Sequence, residues 1–371
     1  MTKKTRRVVL LFGLLSGVVW AGGARAGVAD QASEKAPEKA GRWLLLPILG
    51  YTPETRIVAG LGGVYYFRPA GSRPEARPSQ VWIALMGTQN RQYTLFLNPD
   101  LYLKDEALRV NTNLKLENYP QKYFGVGNAT PDAAEEDYTY RRVYLETTAL
   151  RRIRPHLSAG IYHEFEYGKV VKPEAGGALE SGLVAGSGTT TVSGLGLAVS
   201  WDSRDNVFSP SRGSYHQAWL SGYHGLLGSE YDFLRFKLDL RRYLPVAPGH
   251  VLALQAMIRL TSGTPPFQFM GMIGGDTLMR GYYYGRYRDK NLAVLQAEYR
   301  MPVWKRLGLV GFAGVGDVAP APGRFRLGSF KAAGGFGFRF LFDLKEKTSI
   351  RLDFGFGKDT SGMYITATEA F

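Results

Sequence analysis

An arginine set among glycines and tyrosines is the place where residue types and spacing in this chain most suggest dedicated chemistry. Gly274-Gly275-Asp276-Thr277-Leu278-Met279-Arg280-Gly281-Tyr282-Tyr283-Tyr284-Gly285 lies within Ser262 to Asp289, the longest non-alternating stretch of the C-terminal half. A connection this long in a compact all-β domain is functional or disordered, and its glycines and aromatics do not suit a solvated linker. Each glycine lets the chain turn sharply, so the segment reads as a loop folded back onto its own protein. A guanidinium presented this way suits bidentate capture of carboxylates. The candidate motif is Met279, Arg280, Gly281 and Tyr282. The candidate partners of Arg280 are Glu298, Asp317 and Asp353, on the inward face or at the rim of late strands. Simple bracing, with the loop as a plug, is the other reading of the same arginine.

Catalytic chemistry finds little support. The five histidines, His156, His163, His216, His224 and His250, are scattered, and no HExxH or H-x-H metal-ligand spacing occurs. In His163-Glu164-Phe165-Glu166, alternation sends the histidine outward and the glutamates inward. Gly194-Leu195-Gly196 has no following helix and reads as strand, not as a nucleotide loop. The acidic stretch Asp132 to Asp137 reads as a solvated loop rather than a cation site. With no cysteine, disulfides and thiolate metal sites are excluded. We therefore expect no enzyme activity, no metal and no cofactor.

The elements that must position Arg280 are strands. Leu108, Val110, Thr112, Leu114 and Leu116 alternate with Arg109, Asn111, Asn113, Lys115 and Glu117. The same two-residue period runs through Leu234 to Arg241 and through Ile350 to Gly357. Such alternation gives a sheet with one apolar and one charged face. About sixteen such runs of roughly ten residues can be counted, the length a tilted strand needs to cross a bilayer. Their centres fall near 46, 62, 84, 97, 113, 145, 162, 197, 218, 237, 256, 296, 312, 337, 353 and 367. Turns such as Arg151 to Pro155, Pro245 to Gly249 and Asp343 to Lys347 are short, whereas Tyr119 to Asp137, Val170 to Thr189 and Ser262 to Asp289 are long. Short turns on one rim and long loops on the other predict an all-β, antiparallel transmembrane barrel with the long loops outside and the sixth folded inward. A soluble sandwich also alternates, but nearly every run here carries two or three charges, which a wet interior accommodates without burying them.

Residues 1–26 read as a signal peptide: Lys3, Lys4, Arg6 and Arg7, an apolar run from Val8 to Trp20, and Ala24-Arg25-Ala26. Residues 27–41 read as a flexible periplasmic lead-in, and 42–371 as the barrel. Without residues 1–26 the 46 bases fall to 41 against 32 acids, an excess that fits phosphate-rich lipid or a basic lumen. Nucleic acid is not an expected partner of an exported chain.

Five segments follow one another along the chain: Pro47 to Thr55 (PILGYTPET), Tyr123 to Asn128 (YFGVGN), Asp202-Ser203-Arg204-Asp205 with Pro210 and Gly213, Met279 to Tyr282 (MRGY) after two glycines, and Glu298-Tyr299-Arg300. In this order they resemble the BamA/TamA family of outer-membrane assembly factors, the bacterial surface antigen family. The resemblance covers residues from about 43 to 371 and implies a location in the bacterial outer membrane. It also implies a role in inserting or translocating protein or lipid through a weak barrel seam. Two features depart from the family. Residues 27–41 are too few for a POTRA module, and Phe312-Ala313-Gly314-Val315-Gly316 has glycine where the family's FxDxG motif has its aspartate. The expected partners are outer-membrane lipid and lipopolysaccharide, the barrel-assembly machinery during the chain's own insertion, and a periplasmic protein. A plugged transport pore and a membrane anchor are the alternative functions. The seam is expected at Pro47, which lacks a backbone donor, at Gly362, as a loose start to the last strand, and at Phe371, a terminal aromatic sharing the outward face of Met363, Ile365 and Ala367. Glu369 is expected on that outward face too.

Overall fold

The computed structural model describes residues 41–52, 56–73, 75–89, 91–344 and 347–371. The signal peptide, the lead-in as far as residue 40 and the end of the Pro47 to Thr55 segment lie outside the described residues. The first half of the wall comprises β1 (Arg42–Thr52), β2 (Arg56–Phe67), β3 (Ser79–Thr88), β4 (Tyr93–Leu103), β5 (Leu108–Tyr123), β6 (Glu136–Arg154), β7 (Leu157–Val171) and β8 (Thr189–Asp202). It continues through β9 (Gly213–Tyr223), β10 (Phe233–Ala247) and β11 (His250–Gly263). Two short strands, β12 (Gly271–Ile273) and β13 (Tyr287–Asp289), belong to the sixth outer loop. The wall closes with β14 (Asn291–Trp304), β15 (Leu307–Ala319), β16 (Lys331–Asp343), β17 (Thr348–Gly357) and β18 (Thr360–Ala367). Sixteen strands form one antiparallel sheet in which each pairs with its sequence neighbours, while β12 and β13 pair with each other. No helix among the described residues is long and apolar enough to cross a membrane.

Which face is buried identifies the solvent. Leu61, Leu197, Leu234, Leu295 and Ile365 are more than half exposed, whereas the charged Glu166, Asp239, Glu298 and Asp353 are almost fully buried. A soluble protein shows the reverse. An apolar outside and a charged inside is the pattern of a barrel wall in lipid. Inner turns are short, as at 155–156, 248–249 and 305–306, and the long outer connections are 124–135, 172–188 and 264–290.

Among the described residues β1 and β18 share no ladder. The sheet is nevertheless curled into a cylinder at its inner rim. Arg42 on β1 pairs with Asp343 on β16, and the Tyr66 hydroxyl of β2 lies 3.0 Å from that of Thr348 on β17.

The chain end corrects one expectation. Alternation stops at Ala367, because Thr368 takes a left-handed conformation (φ 66°) and turns the tail inward. Phe371 is therefore buried in the bore with Tyr215, Tyr243, Val251 and Ala253, not displayed on the outer face. Glu369 likewise faces inward, its carboxylate accepting from Arg339 Nε at 2.7 Å. A two-residue parity argument carries a side chain to the correct face only while the backbone stays extended.

Candidate functional site

The sixth loop leaves β11, pairs β12 with β13, and between them sends residues 274–286 down into the bore. Its deepest contact is main chain against main chain. Gly281 adopts φ +118°, and a Cβ there would stand 2.6 Å from backbone atoms of Phe356. A Cβ on Gly355 of β17 would stand 2.6 Å from backbone atoms of Arg280 and Gly281. Glycine on both sides is what lets the loop lie flat on the wall.

That contact delivers Arg280 to two carboxylates. Its Nη1 donates to Asp353 Oδ2 at 2.5 Å and its Nη2 to Glu298 Oε2 at 2.6 Å, and its guanidinium stacks 3.6 Å above the centroid of the Phe312 ring. All three charged groups are buried. Three further arginines share these acids. Arg300 Nε donates to Glu298 Oε1 at 2.7 Å and its Nη2 to the main-chain oxygen of Phe371 at 2.8 Å. Arg339 Nη1 donates to Asp353 Oδ1 at 2.5 Å while its Nε holds Glu369. Arg351 Nη1 reaches Asp353 Oδ2 at 2.9 Å, and its Nη2 reaches Asp276 Oδ2, back on the loop, at 3.0 Å. The cluster thus joins Arg280, Arg300, Arg339 and Arg351 to Glu298, Asp353, Glu369 and Asp276, four charges of each sign. Balanced and mutually hydrogen-bonded, these ions avoid the large cost of an unpaired buried charge.

The neighbours of Arg280 fix the loop to the last strands. Gly281 N–H donates to the Tyr364 hydroxyl at 3.0 Å, and the Thr360 hydroxyl donates to Gly281 O at 3.1 Å. The Tyr282 hydroxyl donates to Ala332 O at 3.0 Å and accepts from Lys358 N–H at 3.1 Å. Met279 is buried among Ile273, Leu292, Val294 and Val318. From above, the third outer loop covers the sixth. Gly127 N–H donates to Arg288 O at 2.7 Å, and Arg286 reaches Thr130 Oγ1 at 2.9 Å and Asp132 Oδ1 at 2.6 Å. The acidic stretch is therefore partly engaged rather than wholly solvated.

Of the expected carboxylates, Glu298 and Asp353 meet Arg280 and Asp317 does not. Phe312, Gly314 and Gly316 of β15 face the loop, touching Arg280 or Met279. Asp317 has the opposite parity and faces away from Arg280. There it accepts from Asn128 Nδ2 at 3.2 Å and the Ser329 hydroxyl at 2.5 Å. The glycine in the family's aspartate position also has a physical account. A Cβ at Gly314 would stand 3.2 Å from Met279 Sδ and 2.9 Å from Gln296 Cβ, so a carboxylate there would displace the loop. Asp353, two strands further on, supplies the charge. The sequence does not point to Arg300, Arg339, Arg351, Asp276 or Glu369 as members of this ionic cluster. The first three are nonetheless legible as inward residues: Arg300 shares the parity of Glu298, Arg351 that of Asp353, and Arg339 stands opposite Arg351 in the ladder.

At the seam, Pro47 is exposed and sits opposite Leu61 in the β1–β2 ladder. Gly362 is not a loose start. It pairs with Gly355 as the third residue of β18, and a Cβ there would strike the Tyr364 ring, 2.7 Å from Cζ. The glycine makes room for the tyrosine that binds Gly281. On the inner rim, Asp202 takes Arg204 through Nε and Nη2, both at 2.9 Å, and Arg77 Nη1 at 2.5 Å. In the same turn, burial raises the Asp205 carboxyl, but hydrogen bonds from the Ser211 hydroxyl and from the Ser211 and Arg212 N–H groups outweigh it and hold the carboxyl below its usual range.

A sixteen-stranded antiparallel barrel whose sixth outer loop is clasped inside the bore by an arginine defines a class of membrane barrel occupied by its own loop. The chain belongs to the Omp85 superfamily, whose domain matches residues 79–361. The fold is similar to BamA from Haemophilus ducreyi lacking POTRA domains 1–3, with a TM-score of 0.57 and 12% identity over 88% of this chain and 70% of that one. It is also similar to CdiB from Acinetobacter baumannii, with a TM-score of 0.52 and 11% identity over 90% of this chain, and the match spans 60% of the CdiB chain. CdiB from Escherichia coli gives 0.52 and 10% identity over 88% of this chain and 61% of that one. No curated protein matches the sequence.

Proposed function

We propose that this protein helps build or remodel the bacterial outer membrane, inserting or translocating protein or lipid through the junction of its first and last strands. The observation that carries this reading is the seam. β1 and β18 share no ladder among the described residues, and the chain after Ala367 leaves the wall for the bore. An unpaired strand edge presents N–H and C=O groups that template a further strand. The family's members are outer-membrane barrels, which supports the location. No covalent step is invoked: the barrel offers an edge, and the clasped loop keeps the bore blocked meanwhile. Lipid, lipopolysaccharide and a periplasmic protein are the partners this role requires.

A disulfide engineered between β1 and β18 tests it, since the chain has no cysteine of its own. Depletion of the protein should alter the protein and lipid content of the outer membrane. The stapled variant should restore that content only under reducing conditions. Full restoration by the oxidised staple would sink the seam mechanism. A plugged conduit is the second reading, favoured by a chamber of about 530 Å³ lined by Trp82, Arg204, Phe208, Glu369 and Phe371. Conductance that rises on deleting Tyr282 to Arg288 would favour it.

A further inference from the structure

Most cations described on the inner face of the barrel have a carboxylate of their own. Arg109 takes Asp100, Arg235 takes Glu164, Arg241 takes Asp239, and Arg204 takes Asp202. Lys237 and Arg259 break that rule. They stand directly opposite each other in the β10–β11 ladder, on the face that carries Asp239 and Arg241. No carboxylate among the described residues lies within ion-pair distance of either. Like charges in this position destabilise a sheet.

Their other contacts do not neutralise them. Lys237 Nζ sits 4.4 Å from the centroid of the Trp219 ring, a cation–π contact that leaves its charge intact. Arg259 Nη1 donates to Met270 O at 3.1 Å, while its Nε is buried with no hydrogen-bond partner. The nearby acids are engaged elsewhere by hydrogen bonds. Asp276 is held by Arg351, while Glu146 accepts from the Tyr144 and Tyr162 hydroxyls at 3.2 and 3.0 Å and keeps its charge across the smaller cavity from Lys237, beyond ion-pair distance. Both cations line a cavity of about 260 Å³ under the sixth loop, and Lys237 also lines an adjoining one of about 180 Å³.

We propose that Lys237 and Arg259 form a binding site inside the barrel for a compact oxyanion, a phosphate group. Two cations with unfilled donor capacity, facing each other beside an enclosed space, would be relieved by one anion accepting from both. A guanidinium fork and a mobile ammonium together suit a tetrahedral phosphate. The group can come from free phosphate or from the headgroup of a phospholipid. The site stands on geometry independent of the seam.

The test uses the full chain folded in maltoside micelles, which contain no phosphate, at constant ionic strength set with chloride. Emission from Trp219, isolated as the difference from a Trp219→Phe variant, reports on Lys237 leaving the ring. One arm adds inorganic phosphate, and the other adds phosphatidylglycerol to the micelles. We expect a saturable change whose apparent Kd rises about tenfold or more in Lys237→Gln and in Arg259→Gln, the loss expected for one charge-assisted contact. Response to free phosphate assigns a soluble anion; response to phosphatidylglycerol alone assigns a headgroup. No change in either arm, or one that persists undiminished in both glutamine variants, overturns the site.

Discussion

Arg280 and Asp353 meet at 2.5 Å across 73 residues of sequence, one on a loop and the other on the penultimate strand of the wall. Breaking a buried pair strands the remaining charge and costs about 3–5 kcal/mol. Arg280→Ala and Asp353→Asn should therefore each lower the urea midpoint strongly. The double variant should lose less than the sum of the two, because the pair is one unit. Additive losses would show that the two groups act separately.

Gly355→Ala should be damaging out of proportion to its size. The added methyl lies 2.6 Å from the loop's backbone, so the loop must lift from the wall. Limited proteolysis should then cut between β12 and β13 faster than in the parent, with the wall still folded. Gly311→Ala, where a Cβ meets nothing within 4 Å, is the control and should leave cleavage unchanged.

Asn128→Ala removes a donor to Asp317 but touches nothing in the clasp. The third outer loop should exchange its amide hydrogens faster, above all Gly127, whose N–H binds Arg288 O. The urea midpoint should fall by no more than about 1 kcal/mol equivalent. A collapse as large as that of Arg280→Ala would contradict the separation between Asp317 and Arg280.

Acid should loosen the inner turn through Asp205. Its folded carboxyl titrates below the ordinary value of 3.8, so its stabilising effect is complete above that value. The effect fades as pH falls through the folded pKa. Protection of the Ser211 and Arg212 amides, corrected for intrinsic exchange, should hold from neutral pH to about 4 and decline below it. In Asp205→Asn the protection should be lower at neutral pH and flat across that range.

Phe371→Ala should open a cavity against Tyr243 and Val251 and destabilise the barrel by about 3–5 kcal/mol. If Phe371 served only as an outward signal, the folded barrel would be unaffected and assembly alone would slow.

The wall was legible because alternation is a direct record of which solvent each face meets, and β17 keeps it from Ile350 to Gly357. Glu298 and Asp353 were legible for the same reason, being inward by parity. Asp317 was misassigned although parity already separates it from Phe312, Gly314 and Gly316; its place at the end of β15, beside the outer loops, made it look within reach of the arginine. Glu369 and Phe371 were misplaced by the single left-handed residue Thr368. A positive φ at threonine leaves no signature in the sequence. The substitution of Asp353 for the missing aspartate near Gly314 depends on Met279 filling that space, which appears only once the loop is seen in place.

The ionic cluster draws its members from Asp276 through Glu369, nearly the last hundred positions of the chain. Before the final hairpin joins the wall, Arg280, Arg300 and Arg339 have only Glu298 to share. A molecule stalled before that stage would hold arginines in its interior without their counter-ions. Docking of the last segment brings Asp353 and Glu369 to these arginines and balances the charge.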